Sequence, residues 1–191
     1  MEALRDHICQ HGPNSVEKPR PSRPIAFNDE MIRALLAGRK RQTRRLVDSS
    51  RRSAAICPFG APCDRLWVRE RWAPGNRPDS YHYSADNHGD AVRFRPTFHM
   101  PRAACRIELQ ICSVKTQPLQ SISAADARDE GFDATTSDLS PRKWFAELWD
   151  RIFRAPGTRW EDNPQVWVLR FEILPPPVKV RPARPRRRAP A

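Results

Sequence analysis

The run Met31-Ile32-Arg33-Ala34-Leu35-Leu36-Ala37-Gly38-Arg39-Lys40-Arg41-Gln42-Thr43-Arg44-Arg45-Leu46-Val47 changes period in its middle. Before Gly38, the apolar residues Met31, Ile32, Leu35 and Leu36 recur at helical spacing, and Asn28 stands where an N-cap belongs. Gly38 ends the helix, because a helix C-terminus favours the residue that adopts a left-handed conformation without steric cost. From Gln42 to Val47 the chain reads as extended. A helix therefore feeds a strand through a strongly basic turn.

Working outward, a turn-rich stretch from Cys57 to Pro62 leads into Leu66-Trp67-Val68, a short buried strand. Tyr81-His82-Tyr83 is a weaker strand candidate. The clearest strand is expected from Cys105 to Val114, where Cys105, Ile107, Leu109 and Ile111 alternate with polar residues. Ser123 and Asp126 have capping-box spacing for a short helix ending at Gly131. Ser140-Pro141 opens a longer helix with Trp144, Phe145, Leu148, Trp149 and Ile152 on its apolar side. Gln165 to Leu174 reads as a last strand, with Trp167, Leu169, Phe171 and Ile173 on one face. Short helices among non-adjacent strands give an α+β class, a small curled sheet or barrel.

The 191 residues suit one domain with tails. Residues 1–23 lack hydrophobic periodicity and read as a loose arm; 24–175 form the domain. Residues 176–191 form a proline- and arginine-rich tail, extended or disordered, with six basic residues and no acid. Half of the formal net charge of +12 sits in that tail, so the domain itself is only mildly basic. The tail reads either as an arm for nucleic-acid phosphates or as a solvated extension. Five cysteines without a tight framework argue against a secreted disulfide scaffold, and no apolar run reaches the ~18–20 residues of a membrane span. The cytoplasm is the expected compartment.

Three residue groups are candidates for chemistry. In a strand after the turn, Thr43 and Arg45 share a face, and Lys40 can curl over it. A lysine beside a hydroxyl in a desolvated cleft can act as its base, and the same cluster can clamp a phosphate or be a solvated basic turn. Cys57, Cys63, His82, His88, His99 and Cys105 are metal-ligand types without ligand spacing, so no metal site is expected. Trp144, Trp149 and Trp167 fit a core. Trp67 and Trp72 flank Arg69, Glu70 and Arg71; Trp67 suits the core, and Trp72 with Arg69 suits either the core or a stacked base held by its phosphate. The His99-Met100-Pro101-Arg102 turn can line the same cleft. Phosphate-binding glycine loops, a Gly-x-Ser-x-Gly elbow and cofactor motifs are absent from the sequence.

The order Leu-Leu-Ala-Gly-Arg-Lys, Thr43, Arg45 resembles the G-x-K-x-x-T-x-R signature of the ASCH family. Cys57-Pro58-Phe59-Gly60 running into Asp64-Arg65-Leu66-Trp67-Val68-Arg69-Glu70, His99 to Arg102, Ile122-Ser123 through Glu130-Gly131, and Val166-Trp167-Val168 resemble phage- and prophage-associated members. The resemblance covers about residues 24–174. It implies a PUA-like β-barrel with short helices at its ends, associated with RNA. A more distant likeness is to the branch that hydrolyses N4-acetylcytidine, which places its lysine, threonine and glutamate on Lys40, Thr43 and Glu130. Thr43 is then the nucleophile, Lys40 its activator, and Glu130 the group that orients the lysine or shuttles the proton. Arg45 matches the motif arginine and would hold a phosphate or the barrel edge. RNA or nucleoside recognition in this cleft, without a cofactor, is the resulting expectation. A non-enzymatic RNA-binding adaptor, an ASCH-type ribonuclease and a prophage accessory protein with a protein partner are its alternatives. Two departures stand out: an insertion between Arg51 and about His99, and Cys63 where the family's turn carries glycine, a change that argues for an altered turn.

Overall fold

The structure is a computed structural model that describes residues 21–48, 56–86 and 92–175. Among these residues it is an α+β fold. A five-stranded sheet is built from β1 (Ser22–Ala26), β2 (Gln42–Leu46), β3 (Arg65–Arg69), β6 (Glu108–Pro118) and β7 (Gln165–Ile173), in the order β1-β3-β6-β7-β2. β1 runs parallel to β3 and the other pairs are antiparallel. A two-stranded ribbon, β4 (Trp72–Pro74) and β5 (Tyr81–Tyr83), stands beside it. Three helices complete the fold: α1 (Asp29–Leu36), α2 (Ala124–Asp129) and α3 (Pro141–Ile152).

α1 begins where Asn28 accepts the Met31 N–H at 2.9 Å, and it runs out at Gly38, whose φ is +71°. It buries Met31, Ile32 and Leu35 against Leu66, Val68, Leu109 and Phe171 of the sheet. Leu36, at 53% exposed, lies off that stripe. A second cluster forms on the other side of β7, where Val166 and Val168 meet Phe145 and Trp149 of α3 and Ala127 of α2. β7 is therefore covered on both faces, with Trp167, Leu169 and Phe171 turned to the first core. Ile173 and Ile152, both expected to be buried, end their elements 43% and 44% exposed.

Two strand starts differ from those expected, and β6 also runs on past Val114 to Pro118. β6 starts at Glu108 rather than Cys105 because Arg102–Ala104 closes a 3-10 turn, with the Cys105 N–H on Arg102 O at 3.0 Å. A bulge between Ile111 and Ser113 then resets its alternation. β1 begins at Ser22, inside the segment read as an arm. Pro24 is tolerated there because β1 is an edge strand, where a missing N–H breaks no second ladder. Residues 1–20, the tail 176–191 and, within the insertion, residues 51–55 and 87–91 lie outside the described residues.

β1 and β2 are the two ends of the sheet order, and no ladder joins them among the described residues. A side chain does: Arg45 Nη2 of β2 donates to Ala26 O of β1 at 2.7 Å. At the opposite end of β1, Arg23 pairs with Asp64 at 2.8 Å, and the same carboxylate oxygen accepts the Ala61 N–H at 3.1 Å. This clip explains the Cys-Pro-Phe-Gly block. Gly60 has a φ of +122°, and a Cβ there would come within 2.6 Å of Asp64 Oδ2 and 2.7 Å of Arg23 Nη1. Cys63 holds a φ of +73°, left-handed backbone that a cysteine adopts only at a steric cost, and its N–H reaches Ile111 O at 2.7 Å.

Gly60→Ala should lower stability by about 1–3 kcal/mol, read as a fall in the urea midpoint at unchanged slope.

Candidate functional site

Lys40 follows the turn after α1, and its side chain is fully buried. Its Nζ donates to Glu130 Oε2 and to Glu130 O, each at 2.9 Å. Glu130 lies 90 residues away, just past α2, a helix opened by the capping box of Ser123 and Asp126. Gly131 makes this approach possible. Its φ is +112°, and a Cβ there would stand 2.9 Å from Ala34 Cβ and 3.5 Å from Lys40 Cβ. The Arg41 N–H donates to Asp129 O at 2.7 Å, and Arg41 O accepts the Phe171 N–H at 3.0 Å, so the turn is tied to both α2 and β7.

The other oxygen of Glu130 accepts from Arg44 Nη1 at 3.0 Å, while Arg44 Nη2 lies 3.4 Å from Asp126 Oδ2. Arg44 also sits over the Phe145 ring, 5.6 Å from its centroid. One carboxylate thus bridges two cations, Lys40 from the turn before β2 and Arg44 from β2 itself. Strand alternation divides the rest of β2. Gln42 and Arg44 face α2 and α3, and Thr43 and Arg45 face the other way. Thr43 is 1% exposed beside Leu169. Arg45, half-buried, reaches the Ala26 carbonyl and lies 4.9 Å from the Phe27 ring centroid; Lys40 Nζ lies 5.5 Å from the same centroid. Burial pushes the Lys40 ammonium below its ordinary value of 10.5, against the opposing pull of Glu130. Gln42 is fully buried on the α2 side, and among the described residues Arg44 Nε has no hydrogen-bond partner.

The structure therefore joins Lys40 directly to Glu130, and carries Thr43 and Arg45 on the strand that follows, with Arg45 reaching across to β1. Arg69 sits at the end of β3, beside β1, and Trp72, His99 and Arg102 lie further along the chain. Trp72 is 6% exposed, packed with Met100 and Ala104 and edge-on to Tyr81 at 5.8 Å, so it belongs to a small core beneath the ribbon. His99 is exposed and stacks on Phe98 with centroids 4.0 Å apart. Arg69 and Arg102 both lie over Trp67, at 4.4 and 5.3 Å from its centroid, and Arg102 pairs with Glu108. Arg44, Asp126, Gln42 and Phe27 join the site although no sequence pattern marks them for it. Arg44 alone carries a signal: alternation from Thr43 turns it toward the helix that ends in Glu130. Among the described residues no cluster of three metal-ligating side chains forms. Two surface cavities, of about 630 and 690 Å³, lie along α3 and beside the β4–β5 ribbon, and neither is lined by Lys40, Thr43 or Glu130.

No family model matches this chain, and no curated protein matches it. Among solved structures it is similar to a protein from Enterococcus faecalis V583 described under the family DUF984. That pair is 11% identical over 83% of this chain and 82% of the other, with a TM-score of 0.47. It is also similar to an ASCH domain from Lactobacillus crispatus JV V101, at 13% identity over 80% of this chain and 79% of that one, with a TM-score of 0.41.

Removing one partner of a buried ion pair leaves the other charge uncompensated. Glu130→Gln should cost about 3–5 kcal/mol in denaturant unfolding, and adding Lys40→Met to it should cost less than the two single changes summed. A lysine with a depressed folded-state pKa binds fewer protons folded than unfolded. Its contribution to stability therefore rises with pH across the window from that depressed value to 10.5. The stability lost in Lys40→Met should accordingly grow as the pH of the unfolding series is raised through that window.

Proposed function

We propose that this protein recognises RNA or a modified nucleoside at the gap between β1 and β2, and hydrolyses an acylated base of the N4-acetylcytidine type there. The observation that carries this reading is the 2.9 Å contact between Lys40 Nζ and Glu130 Oε2, with Thr43 in the strand that follows Lys40. The resemblance to the ASCH signature singles out Lys40 and Thr43, and the more distant likeness to the N4-acetylcytidine branch adds Glu130. In the same reading the curled sheet is a PUA-like barrel with this gap as its open side.

The chemistry divides between the three groups. Neutral Lys40 takes the Thr43 hydroxyl proton as Oγ1 attacks the acetyl carbonyl. The carbon–nitrogen bond breaks and the proton passes to the departing amino group of cytidine. Water then cleaves the acetyl ester, releasing acetate and returning a proton to Thr43. Glu130 fixes the lysine, and burial shifts the lysine pKa downward, in the direction of the neutral form. Arg45 supplies the cation for a neighbouring phosphate.

A second reading is favoured by burial. Lys40, Thr43 and Glu130 are 0%, 1% and 2% exposed, as befits a structural clip in a non-enzymatic RNA-binding adaptor. Mass spectrometry of N4-acetylcytidine incubated with the protein separates the two. Acetate release that drops to background in Thr43→Ala is the expected result. Intact substrate, together with salt-dependent binding of RNA, would leave the adaptor.

A further inference from the structure

The outer face of β1 and β3 carries a second arrangement of cations, continuous with the gap. Along β3, Leu66 and Val68 enter the core, so Arg65, Trp67 and Arg69 point outward. Their register partners on β1 are Ser22, Pro24 and Ala26, three small exposed residues that form a low shelf beside the Trp67–Arg69 ridge. The Phe27 N–H donates to Arg69 O at 3.0 Å, so the carbonyl of the same peptide, Ala26 O, points away from β3, and there Arg45 binds it. Arg45 and Arg69 thus flank one peptide. Arg69 and Arg102 both lie over Trp67, which is 8% exposed beneath them. The Arg69 Nε is buried without a hydrogen-bond partner. Arg102 is 46% exposed on the side chain, and Glu108, its ion-pair partner and the register neighbour of Trp67, is the one acid on this path. The chain leaves the sheet at the same end: Leu174 N–H donates to Glu108 O at 2.8 Å, shortly before the six basic residues between Pro176 and Ala191.

We infer that Arg45, Arg69 and Arg102, with Trp67 beneath the last two, form a track for a single-stranded polynucleotide, so that the nucleoside taken at the gap is read within a strand rather than free. This rests on the function proposed above and names its substrate class. Guanidiniums suit the charge of successive phosphates, the shelf leaves room for flat bases, and an aromatic ring under arginines gives a stacking surface that tolerates any sequence. Arg102 can exchange the Glu108 carboxylate for a phosphate without leaving the ring.

The test is fluorescence anisotropy of a labelled pyrimidine RNA dodecamer, titrated at several salt concentrations. Arg69→Gln with Arg102→Gln should weaken binding about tenfold and flatten the salt slope by about 0.7 for each phosphate no longer neutralised. Arg142→Gln, which removes an α3 guanidinium from over the Trp160 ring, should leave both unchanged. A DNA strand of the same sequence is run alongside, and weaker binding of either strand by the double variant supports the track. If the double variant does not fold, exposed Arg102→Gln alone is read for its slope. Affinity and slope equal to the unmodified protein's would overturn the inference, as would a poly-aspartate peptide of equal charge that competes as well as RNA. Deacetylation of the free nucleoside with no dodecamer binding also sinks the track and leaves the hydrolase. Arginine-dependent dodecamer binding without deacetylation sinks the hydrolase and leaves the track.

Discussion

The carboxylate of Glu130 takes hydrogen bonds from two buried cations at once, Lys40 at 2.9 Å and Arg44 at 3.0 Å. Lys40 comes from the turn before β2 and Arg44 from the strand itself, so the carboxylate ties the start of that strand and the end of α1 to the end of α2. Charges this deep are tolerated only when fully paired, since desolvation is costly and a half-made network is worse than none. The geometry of the turn, the brevity of α2 and the glycine at position 131 all serve that pairing. Remove the glycine and the helix end cannot approach; remove the carboxylate and two cations are stranded.

A second clip of the same kind anchors the ribbon. Arg106 reaches Glu70 through Nε and Nη2, both at 2.9 Å, reaches Asp86 at 2.7 and 2.8 Å, and lies 4.0 Å from the Tyr83 ring centroid. Burial pushes Glu70 up while Arg106 opposes it. The protein therefore uses arginines both as fasteners between its sheet and the elements that flank it and as the charged surface of its outer face. The two uses differ in exposure: Arg44 is buried, whereas Arg102 keeps nearly half its side chain in solvent.

Much of this was legible in the sequence. The change of period at Gly38 and the capping box at Ser123 each correspond to a local rule that tertiary structure did not override. What escaped was of three kinds. β1 was hidden by Pro24, because a proline counts against a strand unless the strand is known to be an edge, and edges are a property of the whole sheet. Trp72 carried the composition of a stacking residue, but its burial depends on Met100 and Ala104, which reach it from a turn that local pattern does not place. Arg44 and Gln42 looked like two members of a basic run; which of them face a helix follows only once the strand's partner is fixed.

The sheet order also governs how the chain reaches this state. β7, made last, lies between β6 and β2, so β2 has no strand neighbour until residues beyond 165 exist. Loop closure over most of the domain must come before that ladder forms, and pairings so distant in sequence slow folding. A nascent chain emerging from the ribosome would carry the basic turn and β2 unpaired through most of its synthesis. The run of positive charge from Arg39 to Arg45 then has a use before any ligand arrives: it keeps a waiting strand soluble until its partner is translated.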